Sequence, residues 1–258
     1  MRYTDSHKGK GADYHELFSP ERNPYRAMIW RLEQRALDSI RREYLQAGPF
    51  THLDFACGTG RILAYFSGAA STSTGVDVSP TMLTVARQTT PAAEFLEADL
   101  TASDVLGTRT FDLITAFRFF PNAEPDLRQT ALSILVRHLA PGGVIVFNNH
   151  KNRDSLRWRI SLLRGRGSTA GTMNDAEVKA LVSNAGLRVY RVVPLAILPF
   201  SEKHRLPIRL IEGVEHLLDR WSGIAPMAQD VIYVCGRDGM ASGASAAPVR
   251  PPGSPRVA

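Results

Sequence analysis

The sequence contains little cysteine and no long apolar run. Its two cysteines, Cys57 and Cys235, each lie in an apolar, strand-like setting, so we expect buried thiols rather than a disulfide or a metal site. No cysteine and histidine cluster has metal-ligand spacing, and we expect no bound metal. No apolar stretch approaches the roughly 18 residues that a membrane-spanning helix needs. Residues 1–16 lack the apolar core of a signal peptide. These absences predict a cytoplasmic protein.

The composition fits one globular α/β domain with additions. A hydrophobic content of 44% in 258 residues is sufficient for a sizeable core. The net charge of +6 leaves nucleic acid or an anionic membrane surface open as partners. Much of the excess is local, because six Lys or Arg residues accompany one Asp between His150 and Ala170.

Apolar, strand-like runs alternate with helical patterns over the central part of the chain. Strands are predicted at Phe50–Ala56, Ser73–Val78, Glu94–Glu97, Phe111–Phe117 and, after a Pro-Gly-Gly turn, Val144–Asn148. Helices are predicted at Gly60–Phe66, from Pro80 with Ser79 as its N-cap, and at Pro125–Leu139. Alternating strands and helices predict a parallel sheet that is covered on both faces.

Both flanks of this region add further elements. The predicted additions are a helix at Pro20–Ala47, a helix from Asn174 to Gly186, a strand at Leu187–Pro194, a helix at Pro207–Trp221 and a strand at Asp230–Cys235. From Gly236 onward the chain is rich in Gly, Ala, Ser and Pro and has no apolar periodicity. We therefore predict a helical segment at 1–48, a domain at 49–237 with substrate-cover elements near 150–174 and 195–226, and a disordered tail at 238–258.

A glycine-rich turn follows the first predicted strand. The run from Asp54 to Arg61 reads Asp-Phe-Ala-Cys-Gly-Thr-Gly-Arg. Glycines without Cβ atoms let backbone N–H groups approach a ligand, and the following helix directs its positive end to the same place. Such a turn alone is equally typical of a tight connection that binds nothing.

Acidic residues end the next two predicted strands. Asp77, about 20 residues after the turn, can accept hydrogen bonds from both ribose hydroxyls of a nucleoside, although it could instead cap the helix that begins at Ser79. Asp99 can hold an adenine amino group while Leu100 covers the ring. Three such features at consecutive strand ends predict a nucleoside site. A nicotinamide dinucleotide fits poorly, since Leu63 stands where Gly-x-Gly-x-x-Gly requires its third glycine.

These segments resemble the class I S-adenosylmethionine-dependent methyltransferase superfamily. The matching segments are Leu53–Arg61 for its first motif, Val76–Leu83 for the second, Glu97–Leu100 for the adenine-binding motif, Phe111–Phe117 for the fourth strand and Leu139–Phe147 for the fifth. Ala56 departs from the first motif, where a glycine usually stands. The resemblance implies an α/β, Rossmann-like fold with a seven-stranded, mostly parallel sheet, helices on both faces and an antiparallel last strand.

The resemblance also implies S-adenosylmethionine as the cofactor. Asp77 would then hold the ribose, while Asp99 and Leu100 would hold the adenine, and Phe117 would lie near the sulfonium. The remaining residues that it implies for cofactor binding are Asp54, Ala56, Gly58 and Gly60 at the amino-acid end, together with Val78 and Met82.

The methyl acceptor should lie at the carboxyl ends of the strands, where open α/β sheets bind their ligands. The candidate catalytic residues there are Arg118 and Asn122 after the fourth strand and Asn148 and His150 after the fifth. His150 is a candidate general base, or else a loop residue that hydrogen-bonds the backbone. The other three would position the acceptor. Phe119 and Phe120 are equally consistent with the acceptor site and with the core.

Two further segments bear on the acceptor. The basic segment Arg153–Arg166 favours a solvated helix face over contact with an anionic substrate or a membrane surface. The apolar stripe of the predicted helix at Pro207–Trp221 favours core packing over lipid contact. Its members are Leu210, Val214, Leu217, Leu218 and Trp221.

We therefore expect an enzyme that methylates a small molecule, or a sugar or lipid intermediate, on oxygen or nitrogen. The segment Ala116–Asn122 lacks the Asn/Asp-Pro-Pro-aromatic motif of amino-directed DNA and RNA methyltransferases, so a nucleic-acid substrate is disfavoured. An RNA methyltransferase and a non-catalytic protein that binds S-adenosylmethionine remain the alternatives. The sequence predicts neither the identity of the acceptor nor an oligomeric state.

Overall fold

A seven-stranded mixed sheet forms the centre of the computed structural model, which describes residues 22–45, 48–166, 171–204, 206–218 and 222–238. Its strands are β1 (Phe50–Phe55), β2 (Ala70–Asp77), β3 (Glu94–Glu97), β4 (Phe111–Ala116), β5 (Leu139–Asn149), β6 (Leu187–Leu195) and β7 (Asp230–Arg237). They lie in the order β3-β2-β1-β4-β5-β7-β6. The first five are parallel, and β7 pairs antiparallel with both β5 and β6. The predicted sheet with an antiparallel last strand is confirmed.

Helices connect and flank these strands. They are α1 (Pro24–Tyr44), α2 (Arg61–Phe66), α3 (Pro80–Thr89), α4 (Pro125–Arg137), α5 (Leu156–Leu163), α6 (Asp175–Asn184), α7 (Ile208–Leu218) and a 3-10 helix (Ser222–Met227). Side chains that accept backbone hydrogen bonds fix several starts, as Asn23 does for α1 and Ser79 for α3. Asn174 and Glu177 form a capping box at α6. Helix α1 therefore begins at Pro24 rather than at the predicted Pro20.

Alternate residues along the central strands pack into two apolar layers. Ile114 and Phe147 belong to a cluster with α4 and α6, whereas Leu113 and Val146 belong to a cluster with α1 and α2. Because neighbouring strand residues point to opposite faces, the two clusters cover the two sides of the sheet. Phe119 and Phe120 are both buried in the first cluster, and Phe119 also lines a cavity at the carboxyl ends of the strands. Cys57 and Cys235 are buried free thiols, as predicted.

Strand β5 is longer than predicted. It begins at Leu139 and passes through the Pro-Gly-Gly sequence instead of starting after it. The register with β4 shifts there, from Phe111 opposite Leu139 to Leu113 opposite Val144. A Cβ atom on Gly143 would lie 2.9 Å from two carbonyl oxygens of β4, so the bulge requires glycine at this point.

The prediction that the apolar stripe of α7 packs into the core is correct for Leu218 and wrong for Leu210 and Leu217. Leu210 and Leu217 are 58% and 62% exposed, and the helix buries Ile211 and Glu215 instead. The Glu215 carboxylate accepts hydrogen bonds at 2.8 Å from the backbone N–H groups of Ile197 and Leu198. These bonds fix the rotation of the helix and leave Leu210 and Leu217 largely exposed.

Parts of the predicted organisation lie outside the described residues, including the tail at 239–258, Trp221 and the first 21 residues. The boundaries of the three predicted segments stay predictions. Among the helices that the structure describes, none is both long and apolar enough to span a bilayer.

Hydrogen bonds between buried polar side chains connect β1 to the neighbouring strand β4. The Thr115 hydroxyl donates to the Asp54 carboxylate at 2.6 Å and lies 2.8 Å from His52 Nε2. Burial raises the pKa of Asp54 to about 7 and lowers the pKa of His52 to about 3. Both groups therefore favour their neutral forms.

Because the folded protein holds the proton of Asp54 more tightly than the unfolded chain does, this group stabilises the fold at low pH. Its contribution is complete below the unfolded pKa of 3.8 and is lost as the pH rises through about 7. We predict that the free energy of unfolding of wild type falls by about 2–4 kcal/mol more than that of Asp54→Asn when the pH is raised from 4 to 8. The figure follows from roughly 1.4 kcal/mol per unit of pKa shift.

Urea unfolding of both proteins at these pH values measures the difference, and the opposite effect of His52 cancels in the comparison. The control Asp126→Asn, on the exposed first turn of α4, should shift the wild-type curve by no more than about 0.5 kcal/mol. Parallel stability curves for wild type and Asp54→Asn would contradict the prediction.

Candidate active site

The turn between β1 and α2 is held in a left-handed backbone conformation. Ala56, Gly58 and Gly60 have φ angles of 55°, 55° and 76°. A Cβ atom on Gly60 would lie 3.1 Å from the Ala86 Cβ of α3. The close approach of the turn to α3 therefore also favours glycine at this position. Ala56 adopts the same conformation with a side chain, at a cost of about 1–2 kcal/mol. The departure from the usual glycine is thus tolerated by the backbone.

Asp77 connects this turn to the start of α3. One carboxylate oxygen accepts from the N–H of Gly58 at 2.8 Å, and the other accepts from the N–H of Ser79 at 2.8 Å. The capping contact considered from the sequence is therefore present. A carboxylate offers about four lone-pair sites, so Asp77 keeps acceptor capacity for a ligand.

A cavity lies above this turn at the carboxyl ends of β1, β2 and β4. Nine of the ten sequence-predicted cofactor residues line it, namely Asp54, Ala56, Gly58, Asp77, Val78, Met82, Asp99, Leu100 and Phe117. Gly60 lies within the turn and does not line it. The Asp99 carboxylate accepts from the N–H and hydroxyl of Thr101 at 2.9 and 2.5 Å, which holds it at the cavity wall.

Sequence reasoning missed an ion pair beside this cavity. The guanidinium of Arg61, which lines the cavity, lies 2.5 Å from a carboxylate oxygen of Glu33 and 4.1 Å from the centre of the Trp30 ring. Glu33 is fully buried on α1. The helical pattern of α1 placed Glu33 among its polar residues, and no local signal links it to an arginine 28 residues away.

A second, larger cavity of about 800 Å³ adjoins the first. Arg118, which follows β4, lines both cavities. The second is bounded by the ends of β5 and β6, the start of β7, and residues of α1 and α5. Its volume falls within the range of small-molecule sites, about 300–1,000 Å³.

Asn148 fixes the backbone of Arg118. Its side-chain oxygen accepts from the Arg118 N–H at 2.7 Å, and its amide nitrogen donates to the Asp230 carboxylate at 3.0 and 3.2 Å. Arg118 has a φ of 62°, an uncommon conformation that these bonds help to hold. Asn148 is fully buried and lines neither cavity, so the prediction that it contacts the acceptor is wrong.

Asn122 also lies behind the cavity wall. Its amide donates to the Arg118 carbonyl at 2.6 Å, and its oxygen accepts from the Lys151 ammonium at 2.6 Å. Asn122 lines neither cavity, so the structure does not place it against an acceptor as predicted. It instead holds Arg118 and Lys151 in position. Arg118 and His150 are the two predicted catalytic residues that the structure brings to the second cavity.

His150 lies at the end of β5 in a positively charged environment. Its Nδ1 atom is buried and has no hydrogen-bond partner among the residues described. Burial, together with the charges of Arg118, Lys151 and Arg26, holds the pKa of His150 well below its usual value. The ring is therefore neutral at neutral pH, and the alternative of a backbone hydrogen bond to Nδ1 is not observed in the described part of the chain.

The basic segment Arg153–Arg166 divides between solvent and the second cavity. Arg159 and Arg164 are exposed, whereas Arg157 lines the cavity and donates to the side-chain oxygen of Gln229 at 2.6 Å. Trp158, Ser161 and Arg166 line it as well. The predicted solvated basic face is therefore observed at Arg159 and Arg164, whereas Arg157 is directed to the second cavity by its contact with Gln229, just before β7.

Comparisons with known proteins agree with this geometry. Residues 53–143 match a family model described as a methyltransferase domain. An uncharacterized methyltransferase of Synechocystis is 28% identical over 144 residues, which are 54% of this chain and 67% of that protein. The dTDP-3-amino-3,6-dideoxy-alpha-D-glucopyranose N,N-dimethyltransferase of Streptomyces fradiae is 30% identical over 145 residues, again 54% of this chain but only 48% of that protein.

A solved structure shows the same fold. The magnesium protoporphyrin IX methyltransferase of Synechocystis with bound S-adenosylhomocysteine (SAH) has a TM-score of 0.65 and 15% identity, and the match covers 91% of this chain and 97% of that one. The order of the motifs along the chain, the sheet topology and the cavity at the ends of β1, β2 and β4 all agree with these matches. The chain has the fold of class I S-adenosylmethionine-dependent methyltransferases and contains, at residues 53–143, a match to a methyltransferase domain.

Proposed function

We propose that this protein transfers a methyl group from S-adenosylmethionine to an oxygen or nitrogen of a small molecule, such as a sugar or lipid intermediate. The observation that carries the proposal is the position of Arg118, which forms part of the wall of both cavities. A cofactor in the first cavity and an acceptor in the second would meet at this residue. A cytoplasmic location, inferred from the sequence, belongs to the same proposal.

The first cavity fits S-adenosylmethionine in its chemistry. Asp77 at the end of β2 retains acceptor capacity for ribose hydroxyls, and Asp99 offers a carboxylate to the adenine amino group. Val78, Leu100 and Leu127 provide the apolar wall that a purine ring requires. When bound, this cofactor supplies an electrophilic methyl group on a sulfonium.

The protein would contribute to the reaction by positioning the acceptor, by excluding water and by accepting the proton that the acceptor loses. Arg118 is held by Asn148 and Asn122, so the junction of the cavities is preorganised. A hydroxyl or ammonium acceptor must lose a proton, and His150 in the second cavity is held neutral and can receive it. Phe117 and Phe119 exclude water from the cofactor side.

The shape of the basic region supports a small acceptor over RNA. The cavity-lining cations converge on a cleft of about 800 Å³ instead of spreading over an open surface. Labelled-methyl transfer from the cofactor into a cell extract, followed by mass spectrometry, tests this directly. Label in the small-molecule or lipid fraction is expected. Label confined to RNA would overturn the proposal, and cofactor binding without any labelled product would favour a non-catalytic binding protein.

Replacing Asp77 should weaken cofactor binding. Asp77→Asn keeps the shape of the side chain and removes the charge that strengthens hydrogen bonds to ribose hydroxyls. We predict that its dissociation constant for S-adenosylmethionine rises about tenfold or more, since tenfold corresponds to roughly 1.4 kcal/mol. Isothermal titration calorimetry measures the change, and circular dichroism verifies that the variant is folded.

The matched control is Glu97→Gln, because Glu97 is an exposed carboxylate at the end of the adjacent strand β3 and lines neither cavity. It should bind the cofactor as wild type does. Unchanged affinity in a folded Asp77→Asn protein would remove Asp77 from the proposed ribose site.

Replacing His150 should slow the chemical step. We predict that His150→Gln reduces kcat by about 10²–10⁴ on the acceptor that the labelling experiment identifies, while cofactor affinity is kept. Wild-type kcat/KM should fall on the acidic side at a pH below 6.5, because a base must be neutral and the pKa of His150 is lowered. The variant should lack this acidic limb.

His216→Gln, on the exposed side of α7, serves as the control and should keep both kcat and the pH profile. If His150→Gln keeps a near-normal kcat, Arg118 remains as a positioning residue and the reaction needs no base from His150.

A further inference from the structure

The second cavity is lined by an excess of basic side chains. Its basic residues are Arg26, Arg118, Lys151, Arg157, Arg166 and Lys203. Two acids accompany them, Glu202 and Asp230. Glu202 is paired with Arg26 at 2.5 Å, and Asp230 is buried and accepts the Asn148 amide. Neither acid forms a salt bridge or hydrogen bond with Lys151 or Arg157 among the described contacts.

Two of these cations donate to neutral amides instead of carboxylates. The Lys151 ammonium donates to the Asn122 side-chain oxygen at 2.6 Å, and the Arg157 guanidinium donates to the Gln229 side-chain oxygen at 2.6 Å. Neither makes an ion pair with a residue that the structure describes. Arg153, which is close in sequence and lines neither cavity, pairs with Glu177. Lys151 and Arg157 are thus oriented by hydrogen bonds to neutral groups rather than by a carboxylate in direct contact.

The positive charges around the second cavity also act on one another. Burial and the charge of Arg118 lower the pKa of Lys151, and Arg118, Lys151 and Arg26 act in the same direction on His150. A bound anion would remove this repulsion and accept charge-assisted hydrogen bonds from the same groups. Lys151 and Arg157 retain further N–H donors beyond those used by Asn122 and Gln229.

We infer that the methyl acceptor is an anionic small molecule whose carboxylate or phosphate group is held by Arg118, Lys151 and Arg157 in the second cavity. The inference rests on the proposed function and names the substrate class for the acceptor site. Since Arg118 lines both cavities, the anionic group binds beside the place where the methyl donor lies. Its charge raises the basicity of His150 when the substrate is present, which suits a proton acceptor that is otherwise kept neutral.

Titration of the full-length protein with two oxoanion probes tests the inference. Tricarballylate represents carboxylates, inorganic pyrophosphate represents phosphates, and glycerol serves as a neutral probe. Each is titrated calorimetrically into the protein with and without SAH. At least one anion should bind saturably and more weakly as salt is added, while glycerol should not bind. The tighter of the two anions identifies whether the natural group is a carboxylate or a phosphate.

Variants locate the binding site. Lys151→Gln and Arg157→Gln should each weaken the anion about tenfold or more, as expected for loss of a charge-assisted hydrogen bond. Lys151→Arg should recover most of the affinity. Arg159→Gln removes an exposed charge from the same helix as Arg157 and should change the affinity by less than about twofold.

The result separates the two proposals. Absence of binding by both anions, or equal weakening by Arg159→Gln and Arg157→Gln, would overturn the anionic acceptor even if SAH binds normally. Failure of SAH to bind, with anion binding kept and sensitive to Lys151 and Arg157, would instead overturn the proposed methyl transfer. As an independent measurement, nuclear magnetic resonance of His150 should show its pKa rising when the anion binds, and no change would contradict the inferred position.

Discussion

The candidate site depends on the hydrogen bonds that Asn148 makes at the end of β5. This one buried side chain joins the backbone of Arg118 after β4 to the carboxylate of Asp230 at the start of β7. Its donor and acceptor sides are both used, so it has one preferred orientation. Arg118 is thereby held with a positive φ angle at the junction of the two cavities. Without this link, neither cavity would have a fixed common wall.

Asp77 connects two segments in a similar way at the first cavity. By accepting from both Gly58 and Ser79, it fixes the glycine turn against the start of α3 while facing the cavity. The Asp77 carboxylate thus satisfies two backbone N–H groups and still carries its charge at the cavity wall. The contact of Asp77 with the start of α3 and its proposed contact with a ribose are therefore compatible with each other.

The sequence predicted which residues gather at the first cavity because its signals there are local. The glycines, the acids at strand ends and the N-cap Ser79 lie within a few residues of the features that they determine. Other contacts join distant residues, such as Arg157 with Gln229, 72 positions later, at the second cavity, and Glu33 with Arg61 beside the first. The rotation of α7 depends in the same way on Glu215 and the backbone after β6. No pattern within one element contains these pairings.

Strand β7 explains why those distant contacts gather at one place. Because it runs antiparallel between β5 and β6, its first residue lies at the edge where β5 ends. Asp230 and the preceding Gln229 therefore reach Asn148 and Arg157, although about 70–80 residues separate the partners along the chain. A parallel strand in this position would present its other end, and the second cavity would lose both contacts. The antiparallel strand thus brings the carboxamide that orients Arg157 and the carboxylate that anchors Asn148 to the same edge as the cofactor cavity.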